Sequence, residues 1–394
     1  MKTVEESVVT AMDGDNIDIF PFLPYILQDF WEIGTSSEII IQLIEKHIKA
    51  PSQLHILDLG CGKGAVSIKL AEKLGCKCLG IDAIKEFIVD ARTKAKEYKV
   101  DALCTFKTGD IREDIKTLEQ YDVIILGAIG QVFGNYYETL TRMQPHLKEN
   151  GCIIVDDGYL DDITDFEYPK SIKKKDLTEQ IATAKMKILD EIIPTGVEAV
   201  EISDEHNTEY NFIVKRCNEL IKQYPDKKSV FKKYIKNQET EYENLEQNLI
   251  CSTLMITKTY ENKIAIVLRS DLSDWQKLNI TSSLAGSVAI SFTEIHGKPF
   301  TNKSGDQYLP FIKQPILIYK AENETAMKRV FNRSRERNLH LGIYPESLFS
   351  TKNAEENHHM IEDFNIEQQP LAGLVIYGDT KTVYKALDKL KLHD

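Results

Sequence analysis

From residue 54 to residue 156, short apolar runs alternate with stretches of helical length, and that alternation leaves few folds open. Strands are predicted at 54–59, 78–81, 102–107, 121–126 and 152–156, with a helix after each of the first four. Consecutive strands joined by helical crossovers must lie parallel, and the helices then cover both faces. The predicted class is α/β with a doubly covered sheet.

Flanking segments read differently. Residues 1–19 are acidic and aperiodic around Asp13-Gly14-Asp15, which predicts a mobile tail. An aromatic stretch from Phe20 leads to a helix at 37–48. Beyond Tyr159, helices are predicted at 176–190, 208–223 and 226–248, a strand at 196–202 and a last strand at 250–257. Polar residues 260–263 then separate two β-rich runs, so the domains are predicted to span 20–258 and 261–394.

Composition narrows the function classes. No apolar run approaches the ~18 residues of a membrane span, and acids at residues 1–18 oppose a secretory signal. The seven cysteines form no CxxC pair and read as reduced thiols, predicting a cytoplasmic protein. From Glu261 onward 17 Lys and Arg face 17 Asp and Glu, so the whole net charge of −12 lies ahead of Glu261. Such a field disfavours nucleic acid as substrate for that part. A homo-oligomer stays open.

The first strand ends Leu57-Asp58-Leu59-Gly60-Cys61-Gly62-Lys63-Gly64 and runs straight into a helix. These glycines permit positive φ and let a ligand lie on bare backbone beside the unpaired N–H groups of a helix start. A nicotinamide- or flavin-binding loop would bring its third glycine one residue later, so another nucleoside ligand is favoured. A plain tight turn is the competing explanation. Asp82 closes the second strand, where a carboxylate suits a ribose diol, and Gly109-Asp110 follows the third. The fourth strand continues into Gly127-Ala128-Ile129-Gly130-Gln131. The fifth ends in the acid-rich run 156–162 around Tyr159, read either as a charged loop or as a substrate wall.

Asp58, Gly60, Gly62, Gly64, Asp82 and Gly109-Asp110 together make residues 20–258 resemble a class I S-adenosylmethionine-dependent methyltransferase. The resemblance implies a Rossmann-like seven-stranded sheet with a reversed last strand and a helical lid at about 208–248. It also implies S-adenosyl-L-methionine as cofactor, with Asp82 on the ribose, Asp110 near the adenine amine and Asp58 near the methionine end. Gly60, Cys61, Gly62, Gly64, Gly109 and Gly127 would approach it through backbone, and Ala83 and Ile111 would wall the adenine. The Asn or Asp, Pro-Pro, aromatic signature of amino-group methylating DNA and protein-glutamine enzymes is absent after the fourth strand. The implied reaction is in-line methyl transfer to a small molecule, in which placement does most of the work. Candidate general bases are Asp157, Tyr159 and His206; candidate acceptor contacts are Tyr25, Trp31, Gln131, Asp157 and Tyr159. Lid packing is the competing reading for Tyr25 and Trp31. No metal set is expected, and a non-catalytic cofactor sensor is the competing class.

In the last third, a strand at 263–269, a loop through Trp275, a helix from about Asn279, a strand at 374–380 and a helix at 383–390 predict a small α/β unit. Its ending LVIYGDTKTVYKALDKLKL and the stretch GKPFTNKSGDQYLPFIKQPILIYKA resemble an uncharacterised bacterial family of peptidyl-tRNA hydrolase II-like fold. Those hydrolases carry a lysine followed by Ala-Ala-Gln; here Lys277-Leu278-Asn279-Ile280-Thr281 departs from it. The departure predicts a binding or accessory module, with a bifunctional enzyme as the alternative.

Overall fold

The computed structural model describes residues 2–302 and 304–393, the side chain of Glu198 excepted. The chain divides into two compact units, Met1–Thr259 and Tyr260–Asp394.

In the first unit, helices α1 (Val4–Ala11), α2 (Leu23–Ile26) and α3 (Ser37–His47) precede the sheet. Alternation then runs β1 (His55–Leu59), α4 (Ala65–Leu74), β2 (Lys77–Asp82), α5 (Lys85–Glu97), β3 (Cys104–Thr108), α6 (Ile111–Asp114), β4 (Tyr121–Gly127), α7 (Tyr136–Met143) and β5 (Leu147–Tyr159). After it come α8 (Lys174–Thr183), β6 (Met186–Ile192), α9 (Val197–Gln223), α10 (Lys228–Gln247) and β7 (Ile250–Lys258). The seven strands lie in the order β3-β2-β1-β4-β5-β7-β6, and only β7 runs against the rest. Alternate strand residues feed two cores: Ile56, Val123 and Ile154 pack with α3, α4 and α5, while Leu57, Ile124 and Ile153 pack with α7 and α8. Burial on both faces explains why the strands read as nearly unbroken apolar runs.

Three expectations are corrected here. The acidic start is not a mobile tail. Thr3 and Glu6 close a capping box on α1, and Val9 and Ile19 are buried against α9 and α10. The helix predicted to 190 stops at Thr183, and Lys185 at φ +56° turns the chain into β6. Its partner is β7, more than sixty residues later in the chain, so no local signal marks it. The strand predicted at 196–202 is instead the first two turns of α9, where Val197 and Val200, three residues apart, face solvent. Continuation into a long helix overrides their β preference.

The second unit holds β8 (Asn262–Arg269), α11 (Asp274–Ser291), a hairpin of β9 (Phe300–Thr301) and β10 (Gln307–Tyr308), and β11 (Ile316–Ala321). It continues with α12 (Glu324–Glu336), β12 (His340–Pro345), α13 (Ala354–Glu362), β13 (Leu371–Asp379), α14 (Thr380–Leu387) and β14 (Lys391–Leu392). Its five-stranded sheet has the order β12-β13-β8-β11-β14. Helix α11 begins five residues ahead of the predicted Asn279 because a Ser273–Gln276 capping box starts it, so Trp275 is helical rather than in a loop.

Candidate functional site

In the first unit the strand order reverses between β1 and β4, so the carboxyl ends of β1, β2, β4 and β5 frame a crevice, the usual ligand position in such sheets. The β1–α4 turn is held from below: the Gly60 and Cys61 N–H groups both donate to the Ile81 carbonyl, at 2.8 and 3.1 Å. Gly60, Gly62 and Gly64 adopt φ of +76°, +51° and +76°. Their roles differ. A Cβ on Gly64 would lie 2.7 Å from the Phe106 ring, so this glycine serves helix–sheet packing; one on Gly62 would meet only Ile33, at 3.8 Å. Gly62 therefore offers open backbone, whereas Gly60 lies beneath Ile129 of the β4–α7 loop.

Asp82 ties the turn to β2. Its Oδ2 accepts from Gly62 N–H at 2.9 Å and its Oδ1 from Ile84 N–H at 2.8 Å, leaving lone pairs on both oxygens for a diol. Burial pushes its carboxyl up to about 6 against those two bonds. Asp58 accepts from Ser67 Oγ at 2.7 Å and is likewise raised by burial to about 6. A bare-backbone cradle beside a buried carboxylate fits a nucleoside cofactor.

The other expected contacts are placed unevenly. Cys61 turns its thiol under the loop, where a Cβ on Gly80 would come within 2.8 Å of Sγ, so only its backbone borders the turn. Gly109 N–H donates to the Asp82 carbonyl at 2.9 Å. Asp110 caps α6 and is gripped by the Arg112 guanidinium at 2.8 and 2.9 Å, which holds its carboxyl below the usual range. Ile111 is buried in the core beneath α6, and Ala83 is half-buried beside Asp82. Gly127 is bare because Thr35 presses on it, a Cβ there falling 2.6 Å from Thr35 Oγ1.

At the ends of β4 and β5, Gln131, Tyr136, Asp156 and Asp157 line a cavity of about 30 Å³. Tyr136 donates its hydroxyl to Asp157 Oδ2 at 2.8 Å, and Gly158 N–H donates to Oδ1 at 2.8 Å. Burial raises Asp157, the Tyr136 bond opposing it. Asp156 accepts from Thr253 Oγ1 at 2.9 Å and is pushed up to about 6, mainly by burial. Asp161 and Asp162 instead accept from the Ile163 and Lys175 backbone, so the acid-rich run does not act as one wall.

Tyr159 does not join that group. Its ring is buried beneath the Lys174 ammonium, 4.2 Å from the centroid, and its hydroxyl donates to Glu191 on β6 at 2.9 Å. His206 lies on α9 against the Tyr242 ring of α10 and is held below its usual pKa by burial. Trp31 donates to the Lys63 carbonyl at 3.0 Å and packs on Tyr98, and Tyr25 donates to Glu219 at 2.7 Å. All of these contacts lie within the first unit.

Two participants carried no expectation. Lys63, inside the glycine turn, is buried and donates to the Leu27 and Phe30 carbonyls at 2.6 and 2.8 Å, fastening residues 27–35 over the turn. A lysine amid glycines was a visible signal. Tyr136 had none, since its partner Asp157 comes from another element.

Comparison with known proteins agrees with this geometry. Residues 51–277 match a family described as a methyltransferase domain, and residues 262–394 match a protein family of unknown function, DUF2000. The two matches overlap, and the break between sheets lies at Thr259–Tyr260. A ubiquinone biosynthesis O-methyltransferase of Rickettsia akari is 34% identical over 122 residues, 30% of this chain and 46% of that protein. The chain thus spans about half the length of that curated relative. A methyltransferase from Geobacter sulfurreducens, solved with S-adenosyl-L-homocysteine, shares the fold at TM-score 0.50 and 16% identity, covering 60% of this chain and 98% of that one. A structure of unknown function from Agrobacterium tumefaciens is 32% identical, covers 34% of this chain and all of that one, and has a TM-score of 0.34. With a seven-stranded Rossmann-like sheet, a glycine cradle at its switch point and a family match across more than half its length, this chain belongs to the methyltransferase domain family.

Proposed function

We propose that the first unit transfers a methyl group from S-adenosyl-L-methionine to a small-molecule acceptor. The observation that carries this reading is Asp82: a buried carboxylate, fixed by two backbone N–H groups, beside the open backbone of Gly62. Bound there, the cofactor's sulfonium supplies an electrophilic methyl. Asp82 would accept from the ribose diol, and Asp58 would stand toward the methionine end. Gly62 would give backbone approach, and Ala83 with Asp110 would border the adenine. Residues 27–35, tethered by Lys63, exclude water from the transfer. Asp157, oriented by Tyr136, takes the acceptor's proton where the nucleophile carries one. O-methyltransferase relatives and the absence of the amino-group signature support a hydroxyl-bearing acceptor. No helix is long and apolar enough to cross a membrane among the described residues.

The second unit is read as a binding module of peptidyl-tRNA hydrolase II-like fold, supported by its five-stranded sheet and by the altered segment at Lys277.

Calorimetric titration tests the cofactor. S-adenosyl-L-methionine and S-adenosyl-L-homocysteine should bind wild type, and Asp82→Ala should weaken both about ten- to a hundredfold by removing charge-assisted hydrogen bonds. Binding of NAD in their place would end this reading. Transfer of labelled methyl into a cell extract separates an enzyme from a non-catalytic sensor.

A further inference from the structure

We propose that the second unit carries its own small-molecule site, independent of the methyltransferase cradle, for a zwitterionic amino acid with an apolar or aromatic side chain. A cavity of about 310 Å³ opens where the start of β8, the end of α11, the α12–β12 turn and the β13–α14 junction meet. Every residue lining it belongs to the second unit. That volume falls at the lower end of the roughly 300–1,000 Å³ of small-ligand pockets, which suits an amino acid better than a nucleotide or a peptide.

The wall is chemically specific. Phe292 packs its ring 4.8 Å from His340 and 4.3 Å from Tyr377, forming an aromatic side against which a flat or branched apolar group packs. Tyr377 is buried and its hydroxyl is spent: it donates to Glu294 Oε1 at 3.0 Å and accepts from Asn262 Nδ2 at 3.1 Å. Those bonds fix Glu294 and Asn262 while leaving Glu294 Oε2 and Asn262 Oδ1 as acceptors. Asp379 caps α14 through Oδ1, which accepts from Thr382 N–H at 2.9 Å, and keeps Oδ2 as a third acceptor. Opposite in sign, the Arg337 guanidinium lines the same cavity; its Nη1 donates to the Arg333 carbonyl at 2.9 Å and lies 3.6 Å from Glu336 Oε2, leaving Nε and Nη2 as donors.

Two carboxylates, one guanidinium and a ring cluster select among ligand classes. A phosphate or a simple anion would meet Glu294 and Asp379. A hydrocarbon would desolvate three charges without partners. A simple amine would leave the Arg337 Nε and Nη2 donors unmatched. An α-amino acid satisfies all three: ammonium to Glu294 and Asp379, carboxylate to Arg337 in the fork geometry that guanidinium favours, side chain to Phe292 and His340. The site is also remote from the hydrolase-like lysine. Lys277 stands in the first turn of α11 and Phe292 just past its last, ~22 Å apart at ~1.5 Å of rise per residue.

Calorimetry on the full chain tests the proposal with L-phenylalanine, L-leucine, phenethylamine and 3-phenylpropanoate. At least one of the amino acids should bind below about 1 mM, and the phenylalanine analogues lacking carboxylate or ammonium at least about tenfold more weakly. Arg337→Gln and Glu294→Gln should each cost about tenfold with an unchanged circular dichroism spectrum, whereas Asp82→Ala should cost nothing. Should either variant misfold, Phe292→Leu is the substitute and must also weaken binding. No binding by either amino acid, equal binding of phenethylamine, or loss through Asp82→Ala instead of Arg337→Gln would overturn the proposal.

Discussion

Asp156 sits near the carboxyl end of β5, half-buried, and desolvation of its carboxyl is measurable as a pH dependence of stability. Its carboxyl stands at about 6 in the fold against an ordinary 3.8. Between those values the folded chain holds more protons than the unfolded one, so this residue favours folding below about 3.8 and loses that contribution as pH rises through about 6. Asp156→Asn keeps the acceptor for Thr253 Oγ1 and removes the charge. It should therefore be more stable than wild type at pH 7, on the order of 2 kcal/mol, and equal to it near pH 4. Urea titrations at the two pH values check this; an advantage that persists at the lower pH would contradict it. Asp58 and Asp82 carry the same sign, and their placement was legible because acids at strand ends beside glycines are a local pattern. Tyr136 was not legible, since nothing nearby in the chain marks the carboxylate it meets.

The start of the chain, up to the Lys63 tether, behaves as one element although it is assembled from pieces. A helix of eight residues such as α1 is marginal alone, and its apolar face is completed by α9 and α10. Gln238 of α10 donates to the Met12 carbonyl at 3.0 Å, and Lys170 meets Asp13 at 2.5 Å. Acidic composition suggested mobility because charge is counted without regard to partners some two hundred residues away. The Thr3–Glu6 spacing of a capping box was the available counter-signal. Lys63→Met should test the tether: it leaves the Leu27 and Phe30 carbonyls without their donor, an expected cost of about 1–3 kcal/mol. Limited proteolysis should then cut within residues 19–35 faster than in wild type. Unchanged cleavage there would mean that apolar packing alone holds the segment.

At the scale of the molecule, two compact units, each with its own sheet, predict two unfolding events. Residues 260–394 bury Ile264, Ile266, Val267, Leu374 and Ile376 in a sheet that needs no strand from the first unit. Expressed alone they should fold, and their melting transition should match one of two in the full chain; a single transition lost on separation would refute independence. On the binding-module reading, the isolated unit should leave peptidyl-tRNA intact. What could be read from the residues alone was local: the β1–α4 turn, whose glycines, strand and helix are contiguous, and the strand-helix alternation, because crossover connections permit few arrangements. The β6 edge, the packed N-terminal segment, Lys63 as a tether and the Phe292–Tyr377–Arg337 cavity came from the folded chain. Each draws on segments tens to hundreds of residues apart, and burial and hydrogen bonds between such segments exist only once packing has chosen which surfaces meet.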